Sequence, residues 1–213
     1  MSNLQPTPYK LSFTGASLEI NRSIKLAETY LISKDWQVVH ENVWSQNLLQ
    51  ARTHSSIQRV YQELQPRLAE LDLAQLSLLV EGNPHEQRQL LWFAICQRYL
   101  YIREFAMEVI REKYLRMDYE LTDFDYDSFF LRKADWHPEL ERLKDSSRQK
   151  IKTRLFHMSK EAGLINMDNR ILPALLSHRI FQVLAPYAPD SLMIFPLTDA
   201  EISLAKADHE ENL

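Results

Sequence analysis

Residues 83–100 have the sequence NPHEQRQLLWFAICQRYL, which predicts a buried central helix. Asn83 is a good N-cap residue, Pro84 suits the first helical position, and Glu86 can bond back to the cap. The apolar run at 90–96 is far shorter than the roughly 20 residues that a membrane-spanning helix needs. We therefore expect this segment to be a core helix of a protein that does not enter a membrane.

Helical periodicity continues on both sides of this segment. Ile20, Ile24, Ala27 and Leu31 form one apolar stripe. Caps and stripes predict further helices at about residues 35–43, 55–68, 72–82, 101–116, 122–133, 145–162, 178–184 and 200–206. The chain has only 3 glycines in 213 residues, each at a predicted helix boundary. Because glycine weakens helix interiors, this scarcity supports an all-α fold, a compact multi-helix domain.

One segment departs from the helical pattern. Residues 164–172, LINMDNRIL, place two short apolar pieces around an Asn/Asp-rich turn, which predicts a small β-hairpin. We divide the chain into three regions: a helix-turn-helix-like region at 1–71, a central helical core at 72–144, and a winged-helix-like region with an acidic tail at 145–213.

Composition argues against several classes of function. Few glycines and no phosphate-loop or dinucleotide motif are present, and no serine lies in a nucleophile-elbow context. The seven histidines show no zinc-ligand spacing. We expect no catalytic residue, no metal and no cofactor. The single cysteine, Cys96, excludes a disulfide within the chain, and residues 1–10 lack a secretory signal, so we expect a cytoplasmic protein.

Charge is distributed unevenly along the chain, although the net charge is only −4. Residues 142–154 contain six basic side chains and one acid, whereas residues 118–127 contain five acids and no base. This asymmetry predicts a positive face for a polyanion, with the acidic segment facing elsewhere. The alternative is that the basic run is an ordinary solvated helix face.

The N-terminal region has a pattern typical of DNA recognition: a short helix, a connection, and a third helix with a polar face. Hydroxyls and backbone N–H groups at a helix start suit a phosphate, and arginines can reach a phosphate or a guanine edge. The candidate DNA-binding residues here are Arg52, Thr53, Ser55, Ser56 and Arg59. The alternative is an ordinary helical hairpin with a good N-cap.

The C-terminal region adds a second candidate surface. A basic helix followed by a hairpin resembles the recognition helix and wing of winged-helix modules, and its candidate DNA-binding residues are Arg148, Lys150, Lys152 and Arg154. Arg170 in the hairpin can approach a minor groove, although Asp168 opposes this. Alternatively, the basic helix seals against the body of the protein. With about six phosphate contacts, log K should fall against log salt with a slope of about −5.

Four short motifs resemble the BrxA family of bacteriophage exclusion (BREX) systems. They are YKLSFTGAS at 9–17, NLLQART at 47–53, REKYL with DYEL at 111–121, and WHPEL at 136–140. The resemblance extends from about residue 9 to 196. It implies a helical protein with helix-turn-helix elements and a core similar to the NusB fold, which binds double-stranded DNA and accompanies the BREX methyltransferase and ATPase. From this resemblance we assign a functional role only to the motif at 47–53, which leads into the predicted recognition helix.

Together these observations predict a non-enzymatic, double-stranded DNA-binding component of a BREX phage-resistance system. The alternative is a protein–protein interaction scaffold for other BREX components, with Trp44, Trp136 or an aromatic patch as anchors. The expected partners are duplex DNA and other BREX proteins. The oligomeric state is not predicted.

Overall fold

The computed structural model describes residues 7–187 and 190–210 of the chain. Its helices are α1 (Ile20–Ser33), α2 (Trp36–Ser45), α3 (His54–Leu68), α4 (Leu73–Glu81), α5 (Pro84–Arg98), α6 (Leu100–Phe105), α7 (Glu112–Leu115), α8 (Asp123–Ala134), α9 (Pro138–Glu141), α10 (Asp145–Glu161), α11 (His178–Leu184), α12 (Asp190–Met193) and α13 (Asp199–Glu210). The described residues contain no β-strand, so the predicted all-α class is confirmed.

Local sequence signals explain where most helices begin. The side chains of Asp35, Asp72, Asn83 and Thr122 each accept a hydrogen bond from a backbone N–H in the first turn of α2, α4, α5 and α8. Each such cap satisfies a donor that has no partner within its helix. A local signal also marks the C-terminal end of α10. The helix is followed there by Gly163 with a φ of 78°, a conformation that favours glycine.

The segment between α6 and α7 was not predicted in its observed form. A π-helical turn, Ala106–Arg111, joins the two helices. Arg111 is buried at its end, donates from Nε to the Leu197 carbonyl at 3.1 Å, and pairs with Asp199. Since Asp199 is the first residue of α13, this buried arginine fixes the start of the C-terminal helix.

The hydrophobic core is one continuous cluster with α5 at its centre. Residues 90–96 are all buried, as predicted, and α5 packs against α1, α3, α4, α6, α10 and α11. The Trp92 indole donates to the Ile194 carbonyl at 3.1 Å, which ties the C-terminal part to the centre. Burial raises the pKa of the Cys96 thiol well above its usual value. The three regions drawn from sequence share this core, and their boundaries stay a prediction.

Buried polar contacts hold the N-terminal segment on α3. The Arg67 guanidinium donates to the Ser17 carbonyl at 2.6 Å and the Ala16 carbonyl at 3.2 Å, and pairs with Glu63 at 3.2 Å. The Tyr99 hydroxyl donates to the same carboxylate at 2.7 Å. Arg67 thus satisfies carbonyls that form no regular secondary structure, which explains why a charged side chain is buried here.

Two of the sequence motifs, separated by more than a hundred residues, meet in the fold. The Tyr9 ring stacks on the His137 ring with centroids 3.8 Å apart, and the Tyr9 N–H donates to Glu139 at 2.7 Å. The Tyr9 hydroxyl donates to Glu104. These contacts give the motifs at 9–17 and 136–140 a structural role in attaching the N-terminal segment to α9.

The predicted β-hairpin at 164–172 is not confirmed. The segment folds back through an isolated bridge between Ile165 and Ile171, without forming strands. The Ile171 N–H donates to the Tyr119 carbonyl at 2.7 Å, and the Leu121 N–H donates to Asn169. The two arms bond to each other from the Asn166 N–H to the Arg170 carbonyl and from the Leu172 N–H to the Leu164 carbonyl, both at 2.9 Å, and the second arm bonds on its other edge to the segment before α8. Each pairing is limited to an isolated bridge, so no ladder of strands develops.

Gly82→Ala should destabilise the junction between α4 and α5. A Cβ at residue 82 would lie 2.5 Å from the Leu78 carbonyl oxygen, and backbone cannot move aside as a flexible side chain can. We expect a loss of about 1–3 kcal/mol in the free energy of unfolding, the usual cost of overpacking. Urea denaturation measures it, with the exposed neighbour Glu81→Ala as control. Equal stability of the two variants would contradict the close contact.

Candidate nucleic-acid interface

The loop before α3 is held by its own side chains. The Asn47 amide accepts from the Ala51 N–H at 3.1 Å and donates to the Ala51 carbonyl at 3.3 Å. Leu49 is fully buried, and the Arg22 Nε donates to its carbonyl at 2.9 Å. The motif at 47–53 therefore forms a fixed loop, which sets the position at which α3 begins.

The first turn of α3 is fixed by an aromatic contact and a cap. The His54 ring stacks on Trp44 with an interplanar angle of 9°, and the Trp44 indole donates to His40 at 2.8 Å. The Thr53 hydroxyl accepts from the Ser56 N–H at 3.2 Å and donates to the Ser56 hydroxyl at 2.8 Å. The Ser55 hydroxyl also lies 3.2 Å from the Thr53 hydroxyl, so all three predicted hydroxyl groups are already engaged within the cap.

The two predicted arginines of this surface are exposed. Arg52 lies just before α3 and Arg59 lies on its solvent side, together with the exposed Ser55. Within the described part of the chain, neither arginine forms an ion pair. We call Arg52 and Arg59 the α3 cations. Their positive charge is available to an external anion.

The four predicted basic residues of α10 divide into two pairs on different faces. Arg148 pairs with Asp127 at 2.8 Å, and Lys152 pairs with Asp123 at 3.0 Å, leaving the Lys152 side chain only 12% exposed. The Arg148 guanidinium also lies 4.4 Å from the centroid of the Phe130 ring. These two residues are four positions apart, so they lie on the same side of α10. Their ion pairs show that this side faces α8.

The charge pattern predicted that the acidic segment faces away from the basic residues, and this prediction is wrong. Asp123 and Asp127 of α8 face the basic helix and neutralise two of its four candidate DNA-binding residues. Beneath them, Tyr126 donates its hydroxyl to the Arg148 carbonyl at 3.4 Å, and burial raises its pKa to about 12. For Arg148 and Lys152, the structure therefore agrees with the alternative interpretation, in which the basic helix packs against the rest of the protein.

The other two basic residues, Lys150 and Arg154, lie on the opposite side of α10. They line a shallow depression of about 530 Å³ together with Ser146, Gln149, Thr153 and His157. Neither forms an ion pair with another described residue. We call Lys150 and Arg154 the α10 cations. Like the α3 cations, they are candidate residues whose positive charge is not paired with a carboxylate of the described residues.

The wing-like turn after α10 holds its one arginine against an aromatic ring. Arg170 is exposed, but its guanidinium lies over the Tyr119 ring at 5.6 Å from the centroid. The Asn166 side chain accepts from the N–H groups of Asp168 and Arg170, both at 2.9 Å, which fixes the turn. The turn is thus compact, with Met167 exposed at its end.

A further cluster of cations was not found from sequence. Arg22, Lys25 and Arg88 line one cavity of about 630 Å³ between α1 and α5. These residues come from two helices that are distant in the chain, so no local motif brings them together. The only sequence signal for this cluster was the presence of basic residues in the first turns of α1.

The fold and these surfaces define a compact helical protein whose α3 cations and α10 cations form no ion pair with a described residue. In the described part of the chain, no helix combines the length and apolarity needed to cross a bilayer. Residues 7–186 match the sequence profile of the BrxA family. The chain therefore belongs to the BrxA family.

Comparison with individual proteins agrees with this assignment. The chain is 28% identical over 156 residues to the BREX protein BrxA of Escherichia coli O9:H4 (strain HS), covering 73% of each sequence. Its fold is similar to the crystal structure of an uncharacterized protein from Magnetospirillum magneticum, with a TM-score of 0.76 and 18% identity. That similarity covers 88% of this chain and 97% of the other.

Proposed function

We propose that this chain is a non-enzymatic component of a BREX phage-resistance system and binds double-stranded DNA. One observation carries the DNA-binding proposal: Arg52, Arg59 and Lys150 are exposed, Arg154 is half-buried, and none of these four cations forms an ion pair with a described residue. Such cations release condensed counterions from DNA when they contact phosphates, and this release supplies much of the affinity. Membership in the BrxA family supports the phage-resistance role.

The proposal assigns different tasks to the two surfaces. We propose that α2 and α3 act as a helix-turn-helix with α3 as recognition helix, and that α10 with the turn at 164–172 acts as a winged element. Arg148 and Lys152 are left out of the first contacts, because binding DNA would require them to leave their carboxylates. A core similar to the NusB fold is part of this proposal. Cytoplasmic location also belongs to it.

Salt dependence tests the proposal directly. Four phosphate contacts give a slope of log K against log salt of about −3.6, less steep than six contacts would give. Affinity for a short duplex should therefore fall about 150-fold between 50 and 200 mM salt. Fluorescence anisotropy with a labelled duplex measures this. No binding at 50 mM, or a slope near zero, would contradict the proposal.

The scaffold function is favoured by a separate observation. Phe124 on α8 is 78% exposed and Trp136 after α8 is 73% exposed, whereas Trp44 is half-buried against His54. Large exposed aromatic side chains are typical anchors of protein interfaces. Pull-down of other BREX proteins with the wild type and with Trp136→Ser distinguishes this function, since only the scaffold needs that side chain.

The non-enzymatic part of the proposal has its own test. The purified protein is incubated with duplex DNA, ATP and a divalent metal ion, and both DNA cleavage and phosphate release are followed. We expect neither. Reproducible turnover that a surface variant abolishes would overturn this part while leaving DNA binding intact.

A further inference from the structure

A cavity of about 630 Å³ lies where four segments converge: the start of α1, the loop before α3, the start of α5 and the end of α10. Residues that line it include Arg22, Lys25, Gln50, Arg88 and Glu161. Its volume falls in the range of about 300–1,000 Å³ that small-molecule sites occupy. The cavity contains both charge signs, so the partners of each charge decide what it attracts.

The acids of the cavity are already satisfied within the protein. Glu19 pairs with Arg22 at 2.8 Å. Glu161 accepts the Leu18 N–H at 2.9 Å and lies 3.3 Å from a nitrogen of the His157 ring. These two carboxylates therefore have little capacity left to neutralise further cations in the cavity.

Lys25 and Arg88 differ from Arg22. Both are half-buried, and neither forms an ion pair with another described residue. They approach the cavity from different helices, α1 and α5. Partly desolvated cations on two sides of one cavity attract an anion more strongly than fully solvated surface cations do, because water screens them less.

The N-terminus of α1 adds a second, independent source of positive potential. Glu19 occupies the N-cap position with a left-handed backbone, φ 52°, and its side chain makes no capping hydrogen bond. The first turn of this 14-residue helix also contains no acid. Its first N–H groups thus lack the usual side-chain acceptor, and the helix dipole places roughly +0.5 of an elementary charge there. The α5 N-terminus, by contrast, is capped by Asn83 and Glu86.

We propose that this cavity binds a phosphoryl group, with Lys25 and Arg88 as its cations and the uncapped N-terminus of α1 as its hydrogen-bond donor. A phosphate carries up to two negative charges and several acceptor oxygens, so it suits two cations and a helix N-terminus together. The cavity volume accommodates a mononucleotide as well as phosphate alone. This site does not require that the α3 and α10 cations bind DNA.

The phosphoryl group can come from two sources. One is a small phosphorylated molecule that fills the cavity. The other is a backbone phosphate of a bound duplex, since Gln50 of the cavity lies only two residues before Arg52. Both sources use the same cations, so the experiment needs separate arms for free ligands and for DNA.

Isothermal titration calorimetry with inorganic phosphate and with adenosine 5′-monophosphate forms the first arm, and duplex anisotropy forms the second. The test variants are Lys25→Gln/Arg88→Gln and the single Arg88→Gln, in case the double variant folds poorly. Lys10→Gln/Arg116→Gln is the control, because it removes two exposed charges and so matches the change in net charge. Thermal denaturation verifies that each variant is folded.

We expect the double variant to weaken binding of phosphate or the nucleotide at least tenfold, while the control binds like the wild type. Weakened duplex binding without any free-ligand binding would identify the DNA backbone as the source and still support the site. The proposal is overturned if folded test variants and the control behave alike in both arms. Free-ligand binding that persists when the wild type ignores duplexes would refute only the DNA proposal.

Discussion

Arg67→Met should lower the free energy of unfolding by about 3–5 kcal/mol, since the change removes one partner of a buried ion pair. Methionine fills similar space but leaves the Glu63 carboxylate buried, and it leaves the carbonyls of Ala16 and Ser17 without their donor. For a chain of this length, such a loss lowers the Tm by roughly 10 °C. Thermal and urea denaturation monitored by circular dichroism measure both quantities.

A second variant separates the charge effect from general loss of packing. Arg67→Met/Glu63→Leu removes both charges, so the penalty for an isolated buried carboxylate disappears and part of the stability should return. The carbonyls of the N-terminal segment remain unsatisfied in both variants. If the double variant is less stable than Arg67→Met alone, the unpaired carboxylate is not the main cost.

Replacing Arg52, Arg59, Lys150 and Arg154 together by glutamine should weaken duplex binding on the order of 100-fold at 50 mM salt. The variant should also show a nearly flat salt dependence, because few released counterions remain. Three of these residues are exposed, Arg154 is half-buried, and none forms an ion pair with another described residue, so the fold should tolerate the change. Anisotropy across a salt series is the measurement.

The two faces of α10 provide a matched comparison for this result. Lys150→Gln/Arg154→Gln and Arg148→Gln/Lys152→Gln remove the same charge from the same helix. We expect the first pair to weaken duplex binding about tenfold or more and the second to have a small effect on it. The second pair should instead lower the Tm, because it frees Asp123 and Asp127 of their partners. Equal loss of DNA binding in both variants would mean that α8 releases α10 on binding.

Helix positions were predictable because their signals are local. Asn83 and Thr122 cap their own helices, and Gly163 ends α10, so a few neighbouring residues suffice in each case. The π-helical turn at Ala106–Arg111 has no comparable signal, since the sequence there contains neither glycine nor proline. Its buried Arg111 depends on contacts with Leu197 and Asp199, which only the tertiary fold supplies.

The candidate site was predictable in part for the same reason. Spacing along α10 places Arg148 with Lys152 and Lys150 with Arg154, but it does not tell which pair faces another helix. That depends on α8, whose acids are remote in sequence. The turn at 164–172 shows the same limit, because its second arm also bonds to Tyr119 and Leu121, which no local pattern within 164–172 indicates.

The buried thiol of Cys96 offers a practical route to the dynamics of this molecule. It is the only cysteine of the chain, and its burial in α5 raises its pKa, so a thiol-reactive dye cannot attack it in the closed state. Dye incorporation over time therefore reports the rate at which the central helix becomes accessible, with no engineered label. Comparing this rate with and without duplex would reveal whether a bound partner rigidifies the interior.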